Sequence, residues 1–250
     1  MSGEAPVVAL VGRSMTQIVS AIPMVAEQTG REVVLIGGLA VMCRLPTPYR
    51  ATTDVDTVDR RASGEDSQLQ LLVAAGATPS GPAGALVRTP WGEVQVDVLE
   101  VTDADIDALP SDPTDRLHVL SHAWAACTAS ALVLSAEGLQ PLAVRVAEPG
   151  PIIAMKLQSV MNRGAAKEGT DLLDIVRVTL DRTCGPTSRD QLESADARLR
   201  ADALLHTQQW FGRFEAQSLR KIRAVPEGRD VEIDDVRLVG DLLSGALDRQ

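Results

Sequence analysis

Aromatic residues are scarce: one Tyr, two Phe and three Trp, 2% of the chain. A fold that reads nucleic acid by stacking successive bases on rings is therefore not expected. Cysteine is equally thin. Cys43, Cys127 and Cys184 are odd in number, far apart and form no CxxC pair, which excludes a disulfide framework and a cysteine zinc site. They read as buried free thiols of a reducing compartment. No apolar run reaches the roughly 18 residues that suggest a membrane span. The opening MSGEAPVVALVGRS has no charged region ahead of an apolar one, so neither a signal peptide nor a membrane partner is expected, and the predicted location is cytoplasmic. Positive charge is also short. Lys plus Arg is 24 against 34 Asp plus Glu, a net charge of −10. A protein that coats nucleic acid by general basicity is excluded, though a local basic patch is not. There is no internal repeat and no low-complexity tract.

What is present is core-forming. The 250 residues are 45% hydrophobic and 23% charged, enough to bury a core and inconsistent with wholesale disorder. The spacing of Ile18, Ile22 and Val25 predicts a helix over 14–29, which Pro23 should kink or split. EVVLI (32–36) reads as a buried strand ending at Gly37-Gly38, with a short helix over 39–45 stopped by Pro46 and Pro48. DVDTV (54–58) alternates acid and apolar as a strand, and 65–76 reads as an amphipathic helix. ALVRT (85–89) and EVQVDVL (93–99) flank Pro90-Trp91-Gly92 as a hairpin. Residues 103–116 read as an acidic surface connection, 116–126 as helix, and 130–134 and 142–147 as short strands. Pro149 to Pro151 opens a helical stretch over 152–163, 166–181, 190–223 with a break, and 233–248. The predicted class is α/β (α+β) with a mixed sheet over 1–148, followed by a mostly helical domain over 149–250.

The residues that carry chemistry cluster in the first half. Asp54 and Asp56 fall on one face of a strand, about 7 Å apart at Cα, and Asp97 sits between valines on a later strand. Three converging carboxylates repel unless a cation lies between them. Magnesium, a hard cation with oxygen ligands, fits that need, and two such ions can hold a triphosphate and activate a hydroxyl. A DxD alone is weak, since 21 Asp among 250 residues give about two by chance. Asp103, Asp105 and Asp107 supply two more in the acidic connection. The strand–Gly-Gly–helix unit ahead of Asp54 sets the first pair apart. Its glycines allow a phosphate to approach the backbone, and the helix start offers free N–H groups. The alternative is a tight turn followed by half-exposed strand acids.

The string LIGGLAVMCRL, then Arg50-Ala51-Thr52-Thr53-Asp54-Val55-Asp56, then Asp97 on a strand, resembles the nucleotidyltransferase superfamily that includes polymerase β. With GGxA and R-x-T-x-D-x-D it looks most like the AbiEii/MenT branch of toxin-like enzymes. Ile152-Ile153-Ala154-Met155-Lys156-Leu157, Arg163, Lys167 and Asp171-Leu172-Leu173-Asp174-Ile175 are similar to that branch's second motif. The likeness covers roughly 32–180. The gap from Gly38 to Asp54 is longer than in the general pattern, and Glu-Gly-Thr separates Lys167 from Asp171. The resemblance implies a nucleotidyltransferase core using Mg2+, in a two-ion site held by Asp54, Asp56 and Asp97, with an NTP as substrate. It implies that Asp54, Asp56, Asp97, Lys156 and Asp174 are catalytic. Gly37, Gly38, Thr52, Thr53, Lys156, Arg163 and Lys167 would bind the nucleotide. An RNA acceptor, with tRNA 3′ ends foremost, and a cognate antitoxin are the implied partners. A small hydroxylated molecule or a protein side chain is the alternative acceptor, and a binding-only relative is the reading from another class.

Read without the family, Lys156 lies among Ile152, Ile153 and Met155, so it either snorkels or has a partner. Arg163 shares its helix face; Lys167 lies beyond Gly164. Asp171 complements a helix N-terminus, whereas Asp174, among Leu172, Leu173, Ile175 and Val176, is expected to pair with Lys156 or Arg163 and orient it. His118 and His122 have metal-ligand spacing without a third ligand; helix packing is the preferred reading. Arg198, Arg200, Arg213, Arg220, Lys221 and Arg223, beside Trp210 and Phe211, read either as an RNA phosphate patch or as a solvated face over two core rings.

Overall fold

A computed structural model describes residues 5–162 and 165–249. It divides into two units: 1–43, 50–107 and 125–147 form the first, and 44–49, 108–124 and 148–250 the second.

The first unit is built on one mixed sheet. In chain order the elements are β1 (Val7–Leu10), α1 (Arg13–Thr29), β2 (Val34–Ile36), α2 (Gly37–Arg44), β3 (Asp54–Arg61) and α3 (Gln68–Ala74). Then come β4 (Thr78–Pro79), β5 (Gly84–Thr89), β6 (Gly92–Thr102), α4 (Asp103–Asp107), α5 (Pro113–Thr128), which belongs to the second unit up to residue 124, β7 (Ser130–Ala136) and β8 (Leu142–Val146). The strand order is β1-β7-β8-β2-β3-β6-β5-β4. β3 and β6 run parallel; β2–β3, β5–β6 and β7–β8 are antiparallel. Val55, Val58, Val94, Val96 and Val98 are buried. α1 packs across β5, β6 and β3 through Ile18, Ile22 and Val25, the face that the apolar spacing marks. It carries Pro23 without being split and ends at Gly30, whose left-handed φ of 64° favours glycine.

Several elements differ from the sequence reading. β3 continues past Val58 to Arg61 because each charge there is matched. Asp59 is buried and meets Arg31 at 3.0 Å, Arg60 pairs with Asp103, and Arg61 reaches Glu100 at 3.0 Å. The Asp59 carboxylate also accepts the first N–H of α3, from Gln68, at 2.7 Å. The acidic connection begins as helix α4, because Asp105 accepts from the Thr102 N–H at 2.8 Å. The hairpin loop is two residues, Pro90 and Trp91, since Gly92 pairs with Thr89. β1 is an additional strand, paired in parallel with β7.

The second unit is helical: α6 (Pro149–Asn162), α7 (Ala165–Leu180), α8 (Cys184–Glu193), α9 (Ala197–Thr207), α10 (Glu215–Ala224) and α11 (Ile233–Leu247). α6 packs on α7, α8 and α9, and α11 on α7, α8 and α9. The break expected within 190–223 falls at two places: between α8 and α9, and at a π-helical turn over 208–213. That turn is held by the Phe214 N–H on the Gln209 carbonyl and by the Ser218 hydroxyl on the Trp210 carbonyl.

Arg31 is 26% exposed and can return to water, so Asp59→Ala should lower the unfolding free energy by about 2 kcal/mol. Arg31→Ala should cost less, because Asp59 keeps the Gln68 amide. Chemical denaturation of both variants checks the order.

Candidate metal and nucleotide site

Strand pairing brings the acids together. In the parallel ladder Asp54 stands opposite Gln95 and Asp56 opposite Asp97. Alternation puts all four side chains on one face. One carboxylate oxygen from each of Asp54, Asp56 and Asp97 lies within 4.8 Å of the others, and among the described residues no other group of three potential ligands does so. Asp56 is buried; Asp54 and Asp97 are half-buried.

The surroundings leave room for these carboxylates and hold them. Ile36, the residue before Gly37-Gly38, pairs with Asp56, so the turn into α2 passes directly over the cluster. Gly37 has φ 63°, and a Cβ on it would stand 1.9 Å from Asp56 Oδ2. Both the conformation and the space require glycine there. The Gly38 N–H donates to Asp56 Oδ2 in a long contact of 3.4 Å. The buried Thr52 hydroxyl donates to Asp54 Oδ1 at 2.8 Å, and the Gln95 amide to Asp97 Oδ1 at 2.6 Å. Thr53 is exposed.

Three oxygens on adjacent strands, each acid oriented by a neutral donor, suit a hard divalent cation such as magnesium. The fit is also steric, because side chains at Gly37 or Gly84 would fill the space over Asp56 and Asp97. Sequence reasoning missed the nearby cation. The Arg50 guanidinium lies against Gly38, its Nη2 2.8 Å from where a Cβ would stand. Its place in the R-x-T-x-D-x-D string, four residues before Asp54, was the available signal.

The basic helix belongs to the second unit. Lys156 is 6% exposed and sits between two acids, Nζ 2.5 Å from Asp171 and 2.7 Å from Asp174. Asp174 also accepts from the Tyr49 hydroxyl in a short contact, and Asp171 accepts from Ser159 at 2.9 Å. Burial alone would lower the Lys156 pKa. Its two carboxylate neighbours outweigh that and raise it above 10.5. Because the folded value exceeds the unfolded one, the stabilisation is complete at neutral pH and is lost only as pH rises above 10.5 through that folded value. Asp171 is thus a buried partner of Lys156 as well as a charge in the first half of α7. Lys167 is exposed, and Arg163 lies outside the described residues.

The other candidates have structural partners. Trp210 and Phe211 are buried. Lys221 pairs with Glu168 and Arg223 with Glu232, while Arg198, Arg213 and Arg220 remain exposed. A His122 ring nitrogen is 2.7 Å from the His118 carbonyl and the two rings lie tilted with centroids 4.2 Å apart; the pair belongs to no three-ligand group among the described residues. Cys43 and Cys184 are buried, but Cys127 is exposed, contrary to expectation. No helix among the described residues is long and apolar enough to cross a membrane.

No family model matches the sequence, and no curated protein does. Among solved structures, the chain is similar to an antigenic nucleotidyltransferase-like protein from Paracoccidioides brasiliensis. The two are 20% identical, the match covers 78% of this chain and 94% of that one, and the TM-score is 0.42. A likeness that loose transfers no property, so the functional reading rests on this chain's own residues.

Lys156→Ala would leave two buried carboxylates facing each other and should cost about 3–5 kcal/mol, read as a lower denaturation midpoint. Gly37→Ala should cost about 1–2 kcal/mol for its left-handed backbone alone. It should also displace the Asp56 carboxylate and abolish divalent-cation binding, which manganese titration followed by electron paramagnetic resonance would show.

Proposed function

We propose that the chain is a magnesium-dependent, toxin-like nucleotidyltransferase that moves a nucleoside monophosphate from an NTP to an RNA hydroxyl, the 3′ end of tRNA. The observation that carries this is the convergence of Asp54, Asp56 and Asp97 beneath the Gly37-Gly38 turn. A divalent ion bound there supplies charge neutralisation for the triphosphate and acidifies the acceptor hydroxyl. Asp54 and Asp56 hold the triphosphate-side ligand position. Asp97 completes the site and takes up the acceptor proton. The acceptor oxygen bonds to the α-phosphorus, the α–β bridging bond breaks, and pyrophosphate leaves. The Gly37 and Gly38 backbone, with the Arg50 guanidinium beside it, offers donors to phosphate oxygens. Most of the rate enhancement then comes from positioning and charge stabilisation. A cognate antitoxin is part of this reading.

A second acceptor class has its own support. A net charge of −10 favours a cationic hydroxylated small molecule over a polyanion. Pairing of Lys221 with Glu168 and of Arg223 with Glu232 also removes two charges from the basic patch read as an RNA contact.

The test is incubation of the purified protein with magnesium, total tRNA and each α-labelled NTP in turn, beside Asp56→Ala. Label should enter tRNA with the wild type and fall to background in the variant, whose fold should be intact because a like charge has been removed. Transfer only to an added aminoglycoside-type polyol would select the second acceptor. Full transfer by Asp56→Ala would remove the metal-site assignment.

A further inference from the structure

Beside the three acids stands a fourth side chain, and it is neutral. In the β3–β6 ladder Asp54, Asp56, Asp97 and Gln95 occupy the corners of one block on one face of the sheet. Gln95 Nε2 donates to Asp97 Oδ1 at 2.6 Å and lies 3.4 Å from the Ser80 carbonyl. Both neighbours are acceptors, so the amide must turn its NH2 toward them and its carbonyl away. Across the ladder, Gly84 pairs with Asp97. Its φ is not left-handed, so the backbone does not call for glycine at this first residue of β5. Space does call for it: a Cβ at this position would stand 2.2 Å from Gln95 Nε2 and 2.3 Å from Asp97 Oδ1. The absence of a side chain at Gly84 is accounted for by the amide–carboxylate pair it clears.

We propose that Gln95 is a positioning residue of this site: its amide holds Oδ1 of Asp97 so that Oδ2 is presented to the metal, and Gly84 is the clearance that lets it do so. The inference rests on the metal-site reading above. An outer hydrogen bond of this kind fixes the rotamer of a ligand without touching the ion. A fourth carboxylate at position 95 would offer no donor and would add repulsion to a block that already holds three acids.

The test is manganese titration of the purified full chain, followed by electron paramagnetic resonance, for wild type, Gln95→Met, Gly84→Ala and Asp54→Asn. Gln95→Met keeps the length of the side chain and removes the donor. It should weaken manganese binding by about tenfold or more while leaving the thermal midpoint near that of wild type. In the transfer assay its kcat should recover as magnesium is raised, which a variant that merely disturbed the strand would not show. Gly84→Ala should reproduce the metal defect with Gln95 intact, and it decides the matter should Gln95→Met fail to fold. Wild-type affinity in both Gln95→Met and Gly84→Ala, with binding lost in Asp54→Asn, would overturn the role of Gln95 and leave the metal site standing. Equal binding by wild type and Asp54→Asn would remove the metal site, and this inference with it.

Discussion

Asp56 lies directly across a parallel ladder from Asp97, and that register is the constraint on which the site depends. Like charges opposite each other on neighbouring strands oppose pairing. The valines on either side keep the pairing in place. Val55, Val96 and Val98 are buried on the opposite face, and a slip of one residue would exchange that apolar row for the acids. The hydrophobic face of the sheet thus sets the position of the carboxylates on the other face. The repulsion among them is what a divalent cation would relieve.

Around the acids, size matters as much as charge. Gly37, at the start of α2, and Gly84, at the start of β5, approach the cluster from either side; a Cβ on Gly37 would meet the Asp56 carboxylate, and one on Gly84 would meet the Gln95 amide and the Asp97 carboxylate. Thr52, Gln95 and the Gly38 amide then bond one oxygen of each acid. The second unit also buries carboxylates. Its buried acids, Asp171 and Asp174, enclose their own cation, Lys156.

Some of this was legible in the residues and some was not. The run EVVLI, the Gly-Gly turn, the DVDTV alternation and the valines around Asp97 place the acids on strands, because the strand period is visible wherever one face is apolar. Which strand pairs with which is a tertiary matter: the strand pattern allows Asp97 to join Asp54 and Asp56, and only the β3–β6 ladder sets Asp97 opposite Asp56. Gln95 and Gly84 carried no signal, since a glutamine on a half-exposed strand face and a glycine near a turn are both ordinary. β3 extends beyond Val58 because Arg31, Asp103 and Glu100 neutralise its last residues from distant parts of the chain. Asp171 looked like a complement to the helix dipole, and only the packing of α6 on α7 shows it bonded to Lys156. The π-helical turn has no local signature, because a single wider turn changes no apolar spacing that a short window can detect.

The order of the strands bears on how the protein is made. The carboxylate block, its two glycines and its three donors all fall between Val34 and Thr102, a contiguous stretch of chain. The rest of the sheet waits much longer: β1 pairs with β7 at Val133, and β2 gains its second neighbour only at Arg145 and Val146. On a ribosome, where segments emerge from the N-terminus onward, the residues of the acidic block are complete while one side of β2 is still an open edge. The β2–β3–β6–β5 ladders close over short stretches of chain, whereas β1, β7 and β8 close over more than a hundred residues, so the candidate site belongs to the part of the sheet whose pairing has the smaller loop-closure cost.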